Sequence, residues 1–141
     1  MVEKVGNTSS IWRWIAMPFA AVLGSALVFL LARLVFWIAG RMQSDGYESG
    51  WFFLYVDPLT ASCASGFAYV EIVKTVAPRS KFRACVVMTT LQTALRVFLV
   101  VYVWVSGNHS EDPVMATLES IAWIGTAIVV TSHLDRDPAR T

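Results

Sequence analysis

From Trp14 to Gly40 the chain runs almost wholly apolar, with Arg33 as its single charged side chain. A stretch of that length exceeds the roughly 20 residues an α-helix needs to cross a hydrocarbon core about 30 Å thick. Inside lipid a backbone must also satisfy its own N–H and C=O groups, which a helix does within one segment. Three further stretches repeat the pattern, from about Pro58 to Ala77, Ala84 to Ser106 and Pro113 to Ser132. The expected fold is all-α: a single polytopic membrane domain over residues 1–141, with four transmembrane helices at about 14–40, 58–77, 84–106 and 113–132 in an up-down bundle.

Composition agrees with a bilayer as solvent. Charged residues make up 15% of the chain and hydrophobic ones 56%, with a mean hydropathy of +0.58, whereas soluble domains carry about a quarter charged residues. A net charge of +1 leaves no basic face for phosphates, so nucleic acid is excluded as a partner. Cys63 and Cys85 are too few for a disulfide scaffold and lack metal-ligand spacing, so both read as packing residues.

Punctuation sets the helix limits. Pro58 and Pro113 suit a first helical turn, and Asp57 and Asp112 just before them read as N-caps. Pro78 closes the second helix, and Pro18 should start or bend the first. Trp12, Trp14, Trp37, Tyr102 and Trp104 fall near expected interfaces, and Trp51, Phe52, Phe53 and Tyr55 lead into the second span. The first apolar run is longer than a secretory signal and has no small-residue cleavage site before Arg33, so it reads as a retained anchor.

Lys4 and Arg13, then Arg79, Lys81 and Arg83, then Arg136 and Arg140 all fall on one side of a four-span chain. Arg41 stands alone on the other side with Asp45, Glu48, Asp57, Glu111 and Asp112. By the positive-inside rule both termini are expected in the cytoplasm, with a bacterial inner membrane as the expected location. The acceptor patterns Asn7-Thr8-Ser9 and Asn108-His109-Ser110 are not expected to be glycosylated, one being on the cytoplasmic side and the other crowded against the membrane.

The candidate site is a buried intramembrane polar centre made of Arg33, Glu71, Gln92, Arg96 and Glu119. A charge at the centre of a bilayer costs about 2.5–3.5 kcal/mol on insertion scales, so such residues face the bundle and pair. Glu71, Gln92, Arg96 and Glu119 continue helical stripes: Ala61, Ala64, Ala68, Glu71 and Thr75; Cys85, Thr89, Gln92 and Arg96; Ala116, Glu119, Ala122 and Thr126. Depth counted from the helix ends pairs Glu71 with Arg96, and Glu119 with Arg33 or Arg96. A competing arrangement joins Glu71 to Lys74 three residues along the same helix. Small residues at four-residue spacing favour close helix contact: Ala16, Ala20 and Gly24; Ala61 with Ser65; Ser62 with Gly66.

Catalytic chemistry is missing. His109 and His133 lie toward opposite faces, no span contains an Asp, and no HExxH, GxSxG, CxxC or phosphate loop occurs. No enzyme activity, cofactor or metal is therefore expected. The charges admit three uses: bolts that set register, the lining of an ion or proton path, or an arginine left for another protein's transmembrane acid. The expected function is an accessory or assembly component acting through helix–helix contacts. The alternative is a small oligomeric transporter or channel using the same charges. Expected partners are membrane lipids, and either a second copy or another membrane protein.

Overall fold

The computed structural model describes residues 5–41, 50–77, 81–106 and 112–135. Four α-helices account for nearly all of them: α1 (Val5–Arg41), α2 (Asp57–Val76), α3 (Lys81–Ser106) and α4 (Pro113–Asp135). A π-helical turn, Phe52–Val56, leads into α2. Consecutive helices run antiparallel. Gly24 meets Ile72 and Arg33 meets Asp57 between α1 and α2; Val70 meets Cys85 and Tyr69 meets Met88 between α2 and α3; Trp104 meets Thr117 between α3 and α4. The architecture is the expected up-down four-helix bundle, and the chain is a multi-pass membrane protein.

Three helices, α1, α3 and α4, are long and apolar enough to cross a bilayer by themselves. The second expected span differs. With Asp57, Glu71 and Lys74 among its 20 residues, α2 falls short by composition. It packs against each of the other three helices, and a central helix wrapped by its neighbours needs no lipid-compatible surface of its own. At about 1.5 Å per residue it is still about 30 Å long.

Helix limits depart from expectation at the first helix. α1 begins at Val5 rather than near Trp14, and Pro18 sits inside it instead of in its first turn. Spanning helices tolerate such a proline where neighbours or local adjustment satisfy the freed carbonyl. α2 ends where expected: Ala77 adopts ψ 123°, the extended conformation imposed on a residue before proline. Pro78 itself lies outside the described residues. So do Lys4, Asp45, Glu48, Arg79, Asn108, His109, Glu111, Arg136 and Arg140, on which part of the charge asymmetry rests.

The two Asp-Pro pairs behave differently. Asp112 caps α4, accepting the Val114 N–H at 2.9 Å. Asp57 caps nothing, because the residue before it is already helical and makes no side-chain cap. Pro58 cannot donate to the carbonyl of Leu54, and the turn just ahead of it widens to π geometry, so helical structure continues back past the expected start. Asp57 is thereby carried inside the protein, 1% exposed.

Packing is tight in one half of the bundle and loose in the other. Met17 and Ala21 of α1, Tyr69, Val70 and Val73 of α2, Ala84, Cys85 and Met88 of α3, and Trp123 and Ala127 of α4 form one core. All of α3's buried residues, Ala84, Cys85, Met88 and Thr89, fall in its N-terminal third. On α1, after Ser25, only Gly40 is buried. The buried stripe of α1 is Met17, Ala21 and Ser25, one position on from the expected Ala16, Ala20 and Gly24, of which Ala16 is exposed. On α2 the small-residue pairs Ala61 with Ser65 and Ser62 with Gly66 are all buried.

Candidate functional site: a polar cleft at mid-membrane depth

The arginine of the third apolar stretch is positioned by the stripe it continues. Cys85 and Thr89 are buried, and Gln92 and Arg96 are half-buried as α3 diverges from the core. The Arg96 guanidinium lies over the face of Trp123, 4.5 Å from the ring centroid. Such a contact draws the cation to the negative face of the ring. Trp123 is fully buried and stacks edge-on to Tyr69 at 5.2 Å, and the Tyr69 hydroxyl donates to the Met88 carbonyl at 3.2 Å. Gly66 makes the seat possible. A Cβ there would stand 2.7 Å from the Trp123 carbonyl oxygen, so α4 approaches α2 at a distance no other residue allows.

Arg96 opens onto a cavity of about 350 Å³. Ser62 and Ser65 of α2 form its floor, with Gln92 and Arg96 of α3 and Glu119 of α4 on one side. Val22, Ser25, Ala26, Phe29 and Leu30 of α1 close the other. The Ser25 hydroxyl donates to the Val22 carbonyl at 3.0 Å. Glu119 acts on Arg96 through space as its electrostatic counterpart. The Arg96 Nε is buried without a hydrogen-bond partner. A cluster of this kind can orient a polar group brought in from the membrane side.

The structure brings Gln92, Arg96 and Glu119 together and leaves Arg33 and Glu71 outside. The expected pairing of Glu71 with Arg96 is not made. Lys74 donates to both Glu71 carboxylate oxygens at 3.0 Å, the competing arrangement. The cause is register. With Met88 against Tyr69, α3 runs past the start of α2 by about six residues, roughly 9 Å, which lifts Arg96 to the level of Ser62. Depths counted from the helix ends assumed flush ends.

Arg33 is paired with Asp57. Its Nε stands 3.6 Å from the Asp57 carboxylate, with its guanidinium near the Phe29 ring at 5.9 Å, and its side chain is 44% exposed. Asp57 was expected at a helix cap, and Trp123 was not singled out at all. Its placement in an apolar stretch differs in nothing from a lipid-facing tryptophan. The one available signal was Gly66, whose missing side chain implies a close neighbour.

A second groove, about 430 Å³, lies between α3 and α4, lined by Phe82, Val86, Thr89, Thr90, Ile128, Thr131 and Ser132. It is larger, but no ionisable side chain lines it, and the Thr89 and Thr131 hydroxyl oxygens are buried. Both cysteines serve packing: Cys63 Sγ lies 3.8 Å from the Ala122 carbonyl and Cys85 Sγ 3.8 Å from that of Val70. His133 is exposed near the end of α4. No protein family, curated protein or solved structure matches the chain.

Proposed function

We propose that this is an accessory or assembly component of a membrane complex, without catalytic activity or cofactor, which holds a transmembrane helix of another protein in the cleft between α1 and α3. One observation carries the reading. The half-buried Arg96, Gln92 and Glu119 sit in the loosely packed half of the bundle, where α1 and α3 bury almost nothing. Charges open to hydrocarbon are unfavourable. A further helix laid between the two unpartnered halves covers them and supplies the dispersion contacts that drive helix association in lipid.

The proposed setting is a bacterial inner membrane with both termini cytoplasmic, supported by Arg13, Lys81 and Arg83 at one end of the bundle against Arg41 at the other. The test replaces Ala26, at the cleft wall, with a photoreactive amino acid in native membranes. The expected result is a protein adduct of one discrete mass, weakened by Arg96→Met. Adducts to lipid alone, or a single adduct at twice the mass of the chain, would remove the reading.

A second reading, an oligomeric proton or ion path, draws on the presence of the Glu119 carboxyl in the same cavity. It requires a flux in liposomes that Glu119→Gln abolishes while the protein stays folded.

A further inference from the structure

Resting on the cleft reading, we infer that the helix it receives presents a neutral carboxamide, an Asn or Gln side chain, at the level of Arg96, and that it belongs to a chain other than this one. The first reason is charge. Arg96 and Glu119 line one cavity and act on each other, so the cluster is already neutral. An entering acid leaves a net negative charge at mid-depth and an entering base a net positive one, each carrying the penalty that makes such charges rare in spans. The acid expected as the counterpart of a lone arginine is therefore the wrong complement.

The second reason is hydrogen-bonding type. The cavity offers donors in the Arg96 guanidinium and in the Ser62 and Ser65 hydroxyls. Those serines are 2% and 3% exposed. It offers acceptors in the Glu119 carboxylate and the Gln92 carbonyl. A carboxamide is the neutral side chain that carries two donors and an acceptor on one short stem. A methyl or isobutyl group in its place offers these side chains no hydrogen bond.

The third reason bears on whose helix it is. Asn7, Gln43, Gln92 and Asn108 are all the carboxamides in the chain. Gln92 alone lies within a span, and it lines the cavity itself. A second copy thus has no carboxamide to offer on an outward face. Close approach is provided by Ala26 on the α1 wall, with Leu30 beside it and Leu99 on the α3 side, the last 49% exposed. At about 1.5 Å per residue Arg96 lies roughly 15 Å below the C-terminal end of α3, so the carboxamide sits near the middle of its own span.

The experiment uses the full chain, acceptor-labelled, in phosphatidylcholine vesicles containing phosphatidylglycerol. Donor-labelled Leu/Ala transmembrane peptides carry Asn, Asp, Lys or Leu at the central position, and energy transfer reports association. The Asn peptide is expected to bind about 3- to 10-fold more tightly than the Leu peptide, the range of one or two interhelical hydrogen bonds in a bilayer. Asp and Lys peptides should show no such gain, and Arg96→Met should remove it. Ala26→Trp, at an exposed position away from the packed core, should weaken every peptide.

If Leu and Asn peptides bind equally and Ala26→Trp blocks both, the carboxamide inference fails while the cleft reading stands. If the Asp peptide binds most tightly, or the Asn advantage survives Arg96→Met, the inference fails. If no peptide binds, the cleft reading fails with it.

Discussion

Gly66 and Gly125 are both mid-helix glycines, yet their surroundings make opposite demands. A Cβ at Gly66 would run into the Trp123 backbone at 2.7 Å, and backbone does not swing aside; at Gly125 nothing lies within 4 Å. Gly66→Ala is therefore expected to destabilise the bundle by about 1–3 kcal/mol, the range for overpacking. Gly125→Ala should leave stability unchanged or raise it by up to about 1 kcal/mol through helix propensity. Reversible unfolding in mixed micelles measures both, and equal effects would mean that α2 and α4 do not meet at Gly66. The Trp123 seat under Arg96 depends on the same contact. The two glycines look alike in the sequence because what separates them is a neighbour far along the chain.

Elements show the same limit in the Asp-Pro pairs. Asp112 heads an exposed helix start and accepts the Val114 N–H at 2.9 Å, so Asp112→Ala should cost about 1 kcal/mol, with a range of about 0.5–2. Asn, which also caps, should restore most of it. Unfolding midpoints of the two variants decide this; an Asn variant no better than Ala would show that the cap contributes little. Local chemistry fully accounts for α4. At α2 the identical dipeptide follows a turn that is already helical, and Asp57 ends buried opposite Arg33 at 3.6 Å. A helix start was legible in both cases, and its role was legible only where no other helix intervened.

At the scale of the whole molecule, α2 is the axis of the bundle and the least apolar of the four helices. If it crosses the bilayer, the start of α1 and the end of α4 lie on the same side; if it does not, they lie on opposite sides. Single cysteines introduced as Ile11→Cys and His133→Cys, with Cys63→Ala and Cys85→Ala as background, should react with an impermeant thiol reagent from the same side of sealed vesicles. Reaction from opposite sides would reduce the protein to three crossings. The graded packing gives the molecule its polarity: one half is a closed core centred on Tyr69 and Trp123, and the other half is an open cleft holding Arg96, Gln92 and Glu119.

Helix number and type, and the limits of α2, α3 and α4 to within three residues, were determined by the sequence alone, because a bilayer accepts only backbones that satisfy themselves and the apolar runs have the length of a span. The small-residue pairs on α2 and the cap on α4 were equally local. Which charges meet was decided by the tertiary structure. Partners on different helices depend on how far one helix is displaced along another, and the displacement is set by where side chains as distant as Tyr69, Met88 and Trp123 interlock. A shift of about six residues, roughly 9 Å along the axis, moves Arg96 away from Glu71 and into the cavity that Glu119 shares.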